Sequence, residues 1–408
     1  MLQVPELLAP AGDMEKFDAA LAYGADAIYL GGQELSLRAR TKGFDWRQLR
    51  TAISRARPRG VKIYYCLNIL AQERHLASAQ AQLEQLAEIE PDGLIVADPG
   101  VIRLALRLAP KLPLHLSTQA NTSNSQSVAF WADQGVRRVN LSRELDCRAL
   151  RAVRQATPPQ VELETFVHGA MCVALSGRCL MSGYLNDRSA NLGACTHPCR
   201  YAYRPIAFAL EEQTRPGQIT WELQQDAEYA TLLAADDLCL VTYLRWFQRV
   251  GLNALKIEGR MKSAGSLAQV LDAYRTGLDD LAAGRFRPAA YLAEILNAST
   301  RPFGTGFFLP QGRRRILGRG SRTDCRPILG AIQAPDGPGA WHVAVRAAWD
   351  AATDMHILVP GLERPLVRGG TYGLENERGE RVALAHSGTF VRLLCDHSAL
   401  RTGYFLRA

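Results

Sequence analysis

The chain has 408 residues, of which 47% are hydrophobic and 22% are charged, and this balance predicts packed domains rather than disorder. Its 48 Lys and Arg residues against 40 Asp and Glu residues give a net charge of +8, which is compatible with a polyanionic partner. The N-terminal residues lack the basic and apolar regions of a signal peptide, and no apolar run approaches the ~18 residues that span a bilayer, so we expect a cytoplasmic protein with reduced thiols.

Short apolar segments alternate with helical patterns through the first two-thirds of the chain. Helical patterns such as "SAQAQLEQLAEI" repeat apolar residues three and four positions apart, and Asp13 is the predicted N-cap of the first helix. About eight strand–helix units at a spacing of roughly 25 residues predict an α/β fold, a (β/α)8 TIM-like barrel, with a doubly wound open sheet as the alternative. The predicted strands lie within residues 24–32, 60–68, 91–100, 112–121, 136–145, 161–169, 231–240 and 251–260.

The barrel prediction also places the active site, because the active sites of these barrels lie at the carboxyl ends of the strands. The segment "FVHGAMCVALSGRCLMSGYLNDRSANLGACTHPCR" follows the sixth predicted strand and therefore begins on that face. The polar residues expected there are Asp98, Ser117, Gln119, Asn121, Asn140, Ser142, Arg143, His168, Glu258 and Arg260.

The hydrophobic pattern divides the chain into two domains. We predict the barrel at residues 1–300, with a cysteine-rich insertion at about 169–230 that contains a small hairpin. From about residue 326 the pattern alternates strictly, as in "WHVAVRAAW", and predicts a small antiparallel β-barrel domain at 326–408.

A basic linker at residues 301–325 joins the two predicted domains. Six arginines occur in the fourteen residues from Arg313 to Arg326. Arginine binds phosphate well, so Arg313, Arg314 and Arg315 are candidate contacts to a nucleic-acid backbone. A solvated loop is the alternative interpretation.

Four of the nine cysteines, Cys172, Cys179, Cys195 and Cys199, lie within the cysteine-rich segment. Disulfides are not expected in a reducing compartment. The spacing differs from the paired C-x2-C pattern of structural zinc, whereas iron–sulfur clusters accept irregular spacing. An iron–sulfur cluster, a zinc site and ordinary buried cysteines all remain open on spacing alone. The isolated Cys66, Cys147, Cys325 and Cys395 are interpreted as structural residues.

Several enzyme classes lack their motifs in this sequence. It contains no H-E-x-x-H, no G-x-S-x-G and no Walker A sequence. A C-x3-C-x2-C radical motif also fails, because Ala202 occupies the third cysteine position.

The sequence "LKIEGRMKS" is a second dense polar motif, at the end of the last predicted strand. Alternation places Lys256, Glu258 and Arg260 on one face. If that face is the barrel interior, the three side chains would hold an anionic substrate. An ion-paired scaffold at the barrel mouth is the alternative.

Together with "ELLAPAG", "GADAIYLGG" and "STQAN", these motifs make the chain resemble the collagenase-like peptidase family, number 32 of the class with unassigned mechanism. The resemblance covers nearly the whole chain. The form "HGAMC…GRC…ACTHPCR" is most similar to the branch that takes part in tRNA hydroxylation. That branch implies 5-hydroxyuridine formation at the wobble position, tRNA as the partner, and a link to prephenate and iron–sulfur supply.

A sister branch, which serves oxygen-independent hydroxylation in ubiquinone synthesis, carries a [4Fe-4S] cluster. By similarity to it, Cys172, Cys179 and Cys195 are implied ligands, with Cys239 as the fourth and Cys199 competing for that role. Tyr201 and Tyr203, beside Arg200 and Arg204, are candidate stacking partners for RNA bases.

We therefore expect an iron–sulfur enzyme that hydroxylates uridine in tRNA with an organic oxygen donor. His168 and Glu258 are the candidate catalytic residues, and Gln119, Asn121, Lys256 and Arg260 the candidate substrate-binding residues in the barrel. The alternatives are a peptidase, a hydroxylase of quinone synthesis, and a non-catalytic RNA-binding subunit.

Overall fold

The computed structural model describes most of both predicted domains. The described residues are 3–37, 43–172, 174–203, 210–211, 219–221, 224–225, 230–231, 236–298, 301–310, 316–318 and 325–408. Within these ranges, no helix is both long enough and apolar enough to cross a bilayer.

Eight parallel strands close into a barrel, which confirms the predicted fold and excludes the open sheet. Each strand pairs with the next in parallel, and the last strand pairs with both the seventh and the first. The barrel strands are β1 Glu6–Pro10, β2 Ala27–Gly31, β3 Lys62–Leu67, β4 Gly93–Val96, β5 Leu114–Leu116, β6 Val136–Asn140, β7 Glu162–Gly169 and β8 Ala254–Ile257.

Helices cover the outside of the barrel and bury its apolar surface. The first begins at the predicted N-cap, where the Asp13 side chain accepts a hydrogen bond from the Lys16 amide. The main hydrophobic core lies between the helices and the strands. These helices are α1 Met14–Ala22, α2 Trp46–Ala56, α3 Glu73–Ile89, α4 Pro99–Leu108, α5 Ser125–Asp133, α6 Cys147–Ala156, α8 Leu244–Val250, α9 Ala264–Ala282 and α10 Pro288–Asn297, whereas the short α7 Met181–Asn186 lies in the segment that follows β7.

One of the eight predicted barrel strands was wrong, and one observed barrel strand was not predicted. The first barrel strand is Glu6–Pro10, which precedes every predicted one, and the strand predicted at 231–240 is not in the barrel. Only Asp237–Cys239 is extended there, and it pairs antiparallel with the end of β7. The reason is the insertion after β7, which leaves and returns on the carboxyl face, so the returning segment runs opposite to the barrel strands.

Short strands lie within the insertion after β7 and in the segment that follows α10. The predicted hairpin is formed by Leu210–Glu211 and Ile219–Trp221, and a second small sheet combines Ala202–Tyr203, Gln224–Gln225 and Ala230–Thr231. In the predicted linker, Phe303–Gly304 pairs with Asp237–Cys239 and with Ile316–Gly318. These strands extend the sheet beyond the end of β7.

The C-terminal domain is an antiparallel sheet with its own core. Leu329, Val343, Trp349 and Leu406 are fully or almost fully buried in that core. Its end strands, Leu366–Val367 and Gly373–Glu375, do not pair with each other within the described residues 325–408, so the sheet is open where a small barrel was predicted. The remaining strands of the domain are Ile328–Pro335, Ala340–Val345, Trp349–Asp350, Met355–Leu358, Leu384–Ala385, Phe390–Leu394 and Phe405–Arg407.

Buried polar contacts attach the C-terminal domain to α9 and α10. The Arg364 guanidinium lies 2.6 Å from the Asp272 carboxylate and 2.9 Å from that of Glu294. Arg407 lies 2.7 Å from the same Glu294 carboxylate. The hydroxyl of Tyr23, the residue after α1, donates a hydrogen bond to the Leu358 carbonyl at 2.7 Å. These contacts hold the sheet against the helices.

Candidate functional site

A cavity of about 100 Å3 lies at the carboxyl ends of the barrel strands. Its floor is formed by side chains that point into the barrel, and its roof by the segment that follows β7. It is the place where the barrel fold predicts a substrate site. The side chains from the strands and their ends include Tyr29, Cys66, Asn68, Ser117, Gln119, Asn140, Arg143, Phe166, Lys256, Glu258 and Arg260.

The roof, residues 170–200, is called the lid below. It begins at Gly169, whose φ is +108°, and a Cβ there would lie 2.1 Å from the Glu258 carbonyl oxygen. Only glycine tolerates that approach, so the chain turns sharply out of β7 at this point. The lid is then attached through Ser176, whose amide and hydroxyl both donate to the Glu144 carboxylate at 2.6 Å.

Four cysteines of the lid, Cys172, Cys179, Cys195 and Cys199, line this one cavity. Each is partly buried and none forms a disulfide. Burial raises the pKa of the Cys199 thiol; nearby Arg200 lowers it, and the other three sulfurs raise it further. The other three sulfurs therefore lie close to the Cys199 thiol.

Two features of the lid suit thiolate ligands. The His197 amide donates a hydrogen bond to the Cys195 sulfur at 3.4 Å, an interaction that stabilises a charged sulfur and tunes cluster potentials. A four-iron cluster takes four cysteine thiolates, so the donor set matches this group in type and number. No three His, Cys, Asp or Glu side chains among the described residues surround a single ion, but the ligands of such a cluster bind different irons.

Cys239 lies apart from these four cysteines. It is fully buried on the antiparallel strand beside β7 and does not line the cavity. Burial raises the pKa of its thiol to about 11, and the Tyr274 side chain is a hydrogen-bond partner. Its surroundings are those of a structural cysteine, so the structure brings Cys199, and not Cys239, together with the other three.

Cationic side chains form one wall of the cavity. Lys256 is buried, with its ammonium 2.7 Å from the Glu164 carboxylate and 4.5 Å from the centre of the Tyr29 ring. Arg260 lies over the same ring, and the Arg143 guanidinium stacks on Phe166 at 3.9 Å. The described lining of the cavity is positively charged. It contains one carboxylate, that of Glu258, and four cationic side chains, those of Arg143, Arg200, Lys256 and Arg260.

The motif "LKIEGRMKS" has the predicted arrangement, since Lys256, Glu258 and Arg260 all line the cavity. Glu258 accepts a hydrogen bond from the Tyr29 hydroxyl at 3.2 Å. Lys256 combines both interpretations offered by the sequence: it is ion-paired to the scaffold and it also faces the cavity.

His168 does not line this cavity. It lies in a smaller pocket on the other side of the end of β7, with Asp237 and Phe303. Burial lowers the pKa of its imidazole to about 3, so the ring is neutral near pH 7. The sequence grouped His168 with the mouth residues, but the end of β7 separates it from the cysteines.

Of the other predicted binding residues, some line the cavity and some do not. Gln119 lines the cavity and is buried. Asn121 does not; its side-chain amide donates to the Leu175 carbonyl at 3.3 Å and so supports the lid. Asp98 caps α4 outside the cavity. Arg313, Arg314 and Arg315 lie outside the described residues, as does the side chain of Tyr203.

Several residues of the cavity and its surroundings were not identified from the sequence. Tyr29 and Phe166 form its aromatic floor, and Glu164 holds Lys256. The alternation in "VELETFVHG" contained the signal for two of them, because Glu164 and Phe166 are two positions apart and therefore share a face of the strand.

Comparisons with known proteins identify the family. The model of peptidase family U32 matches residues 12–316. The chain is 36% identical to tRNA hydroxylation protein P of Escherichia coli over 74% of each chain. It is 36% identical to tRNA hydroxylation protein P1 of Bacillus subtilis over 80% of this chain and 77% of that protein. It is also 32% identical to the 23S rRNA 5-hydroxycytidine C2501 synthase of E. coli, over 67% of this chain and 39% of that protein.

Proposed function

The chain belongs to peptidase family U32, and from its cavity we propose that it is an iron–sulfur enzyme that hydroxylates a pyrimidine base in RNA. The proposed substrate is the wobble uridine of tRNA, and the product is 5-hydroxyuridine. Relatives named for hydroxylation of tRNA and for 5-hydroxycytidine formation in rRNA support this class of reaction. The observation that carries the proposal is the convergence of Cys172, Cys179, Cys195 and Cys199 on one cavity at the barrel mouth.

We propose these four thiols as the ligands of a [4Fe-4S] cluster. Thiolates are the usual ligands of such clusters, and amide hydrogen bonds to the ligand sulfurs, like the one from His197 to Cys195, accompany them. A bound cluster supplies one-electron redox chemistry at the cavity wall. Lys256, Arg260 and Glu258 face the same cavity and would orient the reactants beside it.

The oxygen atom requires a donor, and the charge of the cavity favours an anion. Replacing hydrogen by hydroxyl at C5 oxidises the base by two electrons. The donor gives up its hydroxyl group, takes the hydrogen in exchange, and is reduced by the same two electrons. Prephenate, a dicarboxylate with a hydroxyl group, is the donor we propose, and no O2 is then consumed. Lys256 and Arg260 provide the positive charge that binds carboxylates.

The lid has a composition suited to RNA. Leu180 and Tyr184 are 81% and 88% exposed, which is unusual for side chains of their size. Residues 171–201 contain three arginines and a single acidic residue, Asp187. Aromatic side chains interleaved with arginines bind single-stranded RNA by stacking and by phosphate contacts. We propose that this surface receives the anticodon loop while the target base enters the cavity.

The test uses protein purified without oxygen and tRNA from a strain that lacks the modification. We expect 5-hydroxyuridine, measured by mass spectrometry of nucleosides, when prephenate is added in the absence of O2. Cys179→Ser should abolish the product. Cys395→Ser, in the core of the C-terminal domain, is the matched control and should not. Product formed by Cys179→Ser, or peptide cleavage by iron-free protein, would overturn the proposal.

A further inference from the structure

Asn140 is the last residue of β6 and lines the cavity with its carboxamide buried. The side chain is 2% exposed, yet neither Oδ1 nor Nδ2 has a hydrogen-bond partner. A buried amide without partners is costly, and native proteins rarely leave both atoms of one amide unpaired. The position of Asn140 therefore indicates a ligand that pairs with a donor and an acceptor side by side.

The chemistry of the carboxamide distinguishes among the candidate ligands. A carboxylate only accepts hydrogen bonds, so an anionic donor would satisfy Nδ2 and leave Oδ1 unpaired. The edge of a nucleobase carries a donor next to an acceptor and satisfies both atoms, as in the pairing of Asn with adenine. A base is thus a better match to Asn140 than the anion that suits Lys256 and Arg260.

Two neighbouring arginines favour uracil among the pyrimidines. Arg143 and Arg260 also line the cavity, and the Nε of each is buried without a partner. With Nδ2 of Asn140, the described lining presents three unpaired buried donors and one unpaired buried acceptor, Oδ1 of Asn140. Uracil offers two carbonyl acceptors and one N–H donor, whereas cytosine replaces one carbonyl by an amino group.

We propose that Asn140 determines base specificity by pairing with the N3–H and an adjacent carbonyl of a uracil that has been flipped into the cavity. This inference rests on the proposed function, because it assumes that an RNA base is the substrate. It adds the residue that selects the base. The Nε of Arg143 donates to the remaining carbonyl, which leaves Arg260 for the carboxylates of the anionic oxygen donor.

Binding measurements test the role of Asn140 in base selection and do not require catalytic turnover. The probes are two anticodon stem–loop RNAs that differ only in uridine or cytidine at the wobble position, with the Kd measured by fluorescence anisotropy at one salt concentration. We expect the protein to bind the uridine RNA about 10-fold more tightly. Asn140→Ala should remove the preference by weakening uridine binding about 10-fold. Asn140→Asp should reverse it, because a carboxylate accepts from the cytosine amino group.

Thr122→Val is the matched control, because Thr122 is 1% exposed and its hydroxyl is also unpaired, but it lies outside the cavity. This variant should keep the preference for uridine, and iron content and urea midpoints should show that all variants fold. An Asn140→Ala protein that still binds the uridine RNA more tightly would overturn the inference about Asn140. That result would not contradict the proposed hydroxylation. A preference that depends on Asn140 in a protein without hydroxylase activity would support the inference and refute the proposed reaction.

Discussion

The Lys256 ammonium lies 2.7 Å from the Glu164 carboxylate, and both side chains are buried between β7 and β8. The second oxygen of Glu164 accepts no hydrogen bond, and its nearest cation is the Arg138 guanidinium at 3.7 Å. Such a pair contributes little net stability, but the loss of one partner strands a buried charge. Its consequence for the site is that Lys256 is held in one position at the wall of the cavity.

Lys256→Met should therefore lower the free energy of unfolding by about 3 kcal/mol, because Glu164 is left charged and buried. The double variant Lys256→Met, Glu164→Gln removes the charge and should recover most of the loss. Urea unfolding measures both proteins. Equal stabilities of the single and double variants would show that the pair is not coupled.

The same double variant tests whether Lys256 binds the oxygen donor, because its free energy of unfolding is expected to be mostly restored. With Lys256 absent, we expect the KM for the anionic donor to rise about tenfold, the loss of one charge-assisted contact of about 1.4 kcal/mol. Lys62→Met is the control, since Lys62 pairs with Glu6 at the amino end of the barrel, remote from the cavity. An unchanged KM in the double variant would exclude Lys256 from donor binding.

Tyr184 of the lid should contribute to RNA binding through stacking. Tyr184→Ser should raise the Kd for tRNA roughly 5-fold to 150-fold, since one stacked base is worth about 1–3 kcal/mol. Phe130→Ser is the control, because Phe130 is also exposed but lies on α5 outside the barrel. Equal Kd values for the two variants at one salt concentration would remove the lid from the proposed RNA surface.

His168 should make the stability of the protein depend on pH. Its pKa in the fold, about 3, is below the ordinary value of 6.5, so the folded protein favours the neutral ring. The stabilisation is complete above pH 6.5 and decreases as the pH falls from 6.5 towards 3, because the unfolded chain binds the proton more readily. At pH 5.5 the loss is about 1.4 kcal/mol.

Urea unfolding of His168→Gln at pH 8 and pH 5.5 measures this effect. The variant should lose about 1.4 kcal/mol less than the unmodified protein between these two values. His386→Gln, at an exposed position of the C-terminal domain, provides the control and should follow the unmodified protein. Parallel losses in all three proteins would show that His168 is protonated without cost to the fold.

Arg364 should stabilise the attachment of the C-terminal domain. Arg364→Ala leaves Asp272 and Glu294 with less compensation and should lower the free energy of unfolding by about 3 kcal/mol. The control is Arg368→Ala, which removes an exposed pair with Asp354 and should change it by less than about 1 kcal/mol. If both variants unfold at the same urea concentration, the buried network does not hold the domain.

The sequence predicted the features that depend on local periodicity. Alternation placed Lys256, Glu258 and Arg260 on one face, and repeated strand–helix units predicted a barrel with the cysteine-rich segment at its mouth. The first strand was missed because "ELLAP" is short and ends in proline, which gives little strand signal.

The pairing of strands that are distant in the chain could not be predicted from the sequence. Cys239 was expected to join the cluster ligands only by similarity to the quinone-pathway branch, and strand 231–240 was assigned to the barrel. In the structure this strand runs antiparallel to β7 and turns Cys239 towards Tyr274. Neither strand direction nor the side of β7 on which His168 lies is encoded in local spacing, since both depend on where the insertion returns.

The most direct test of the cysteine assignment is the iron and sulfide content of protein purified without oxygen. Our account predicts about four irons and four sulfides per chain for the unmodified protein and for Cys239→Ser, and a large loss of both for Cys199→Ser. Retention of the cluster by Cys199→Ser together with its loss from Cys239→Ser would contradict the assignment. One zinc per chain and no sulfide would contradict the iron–sulfur site itself.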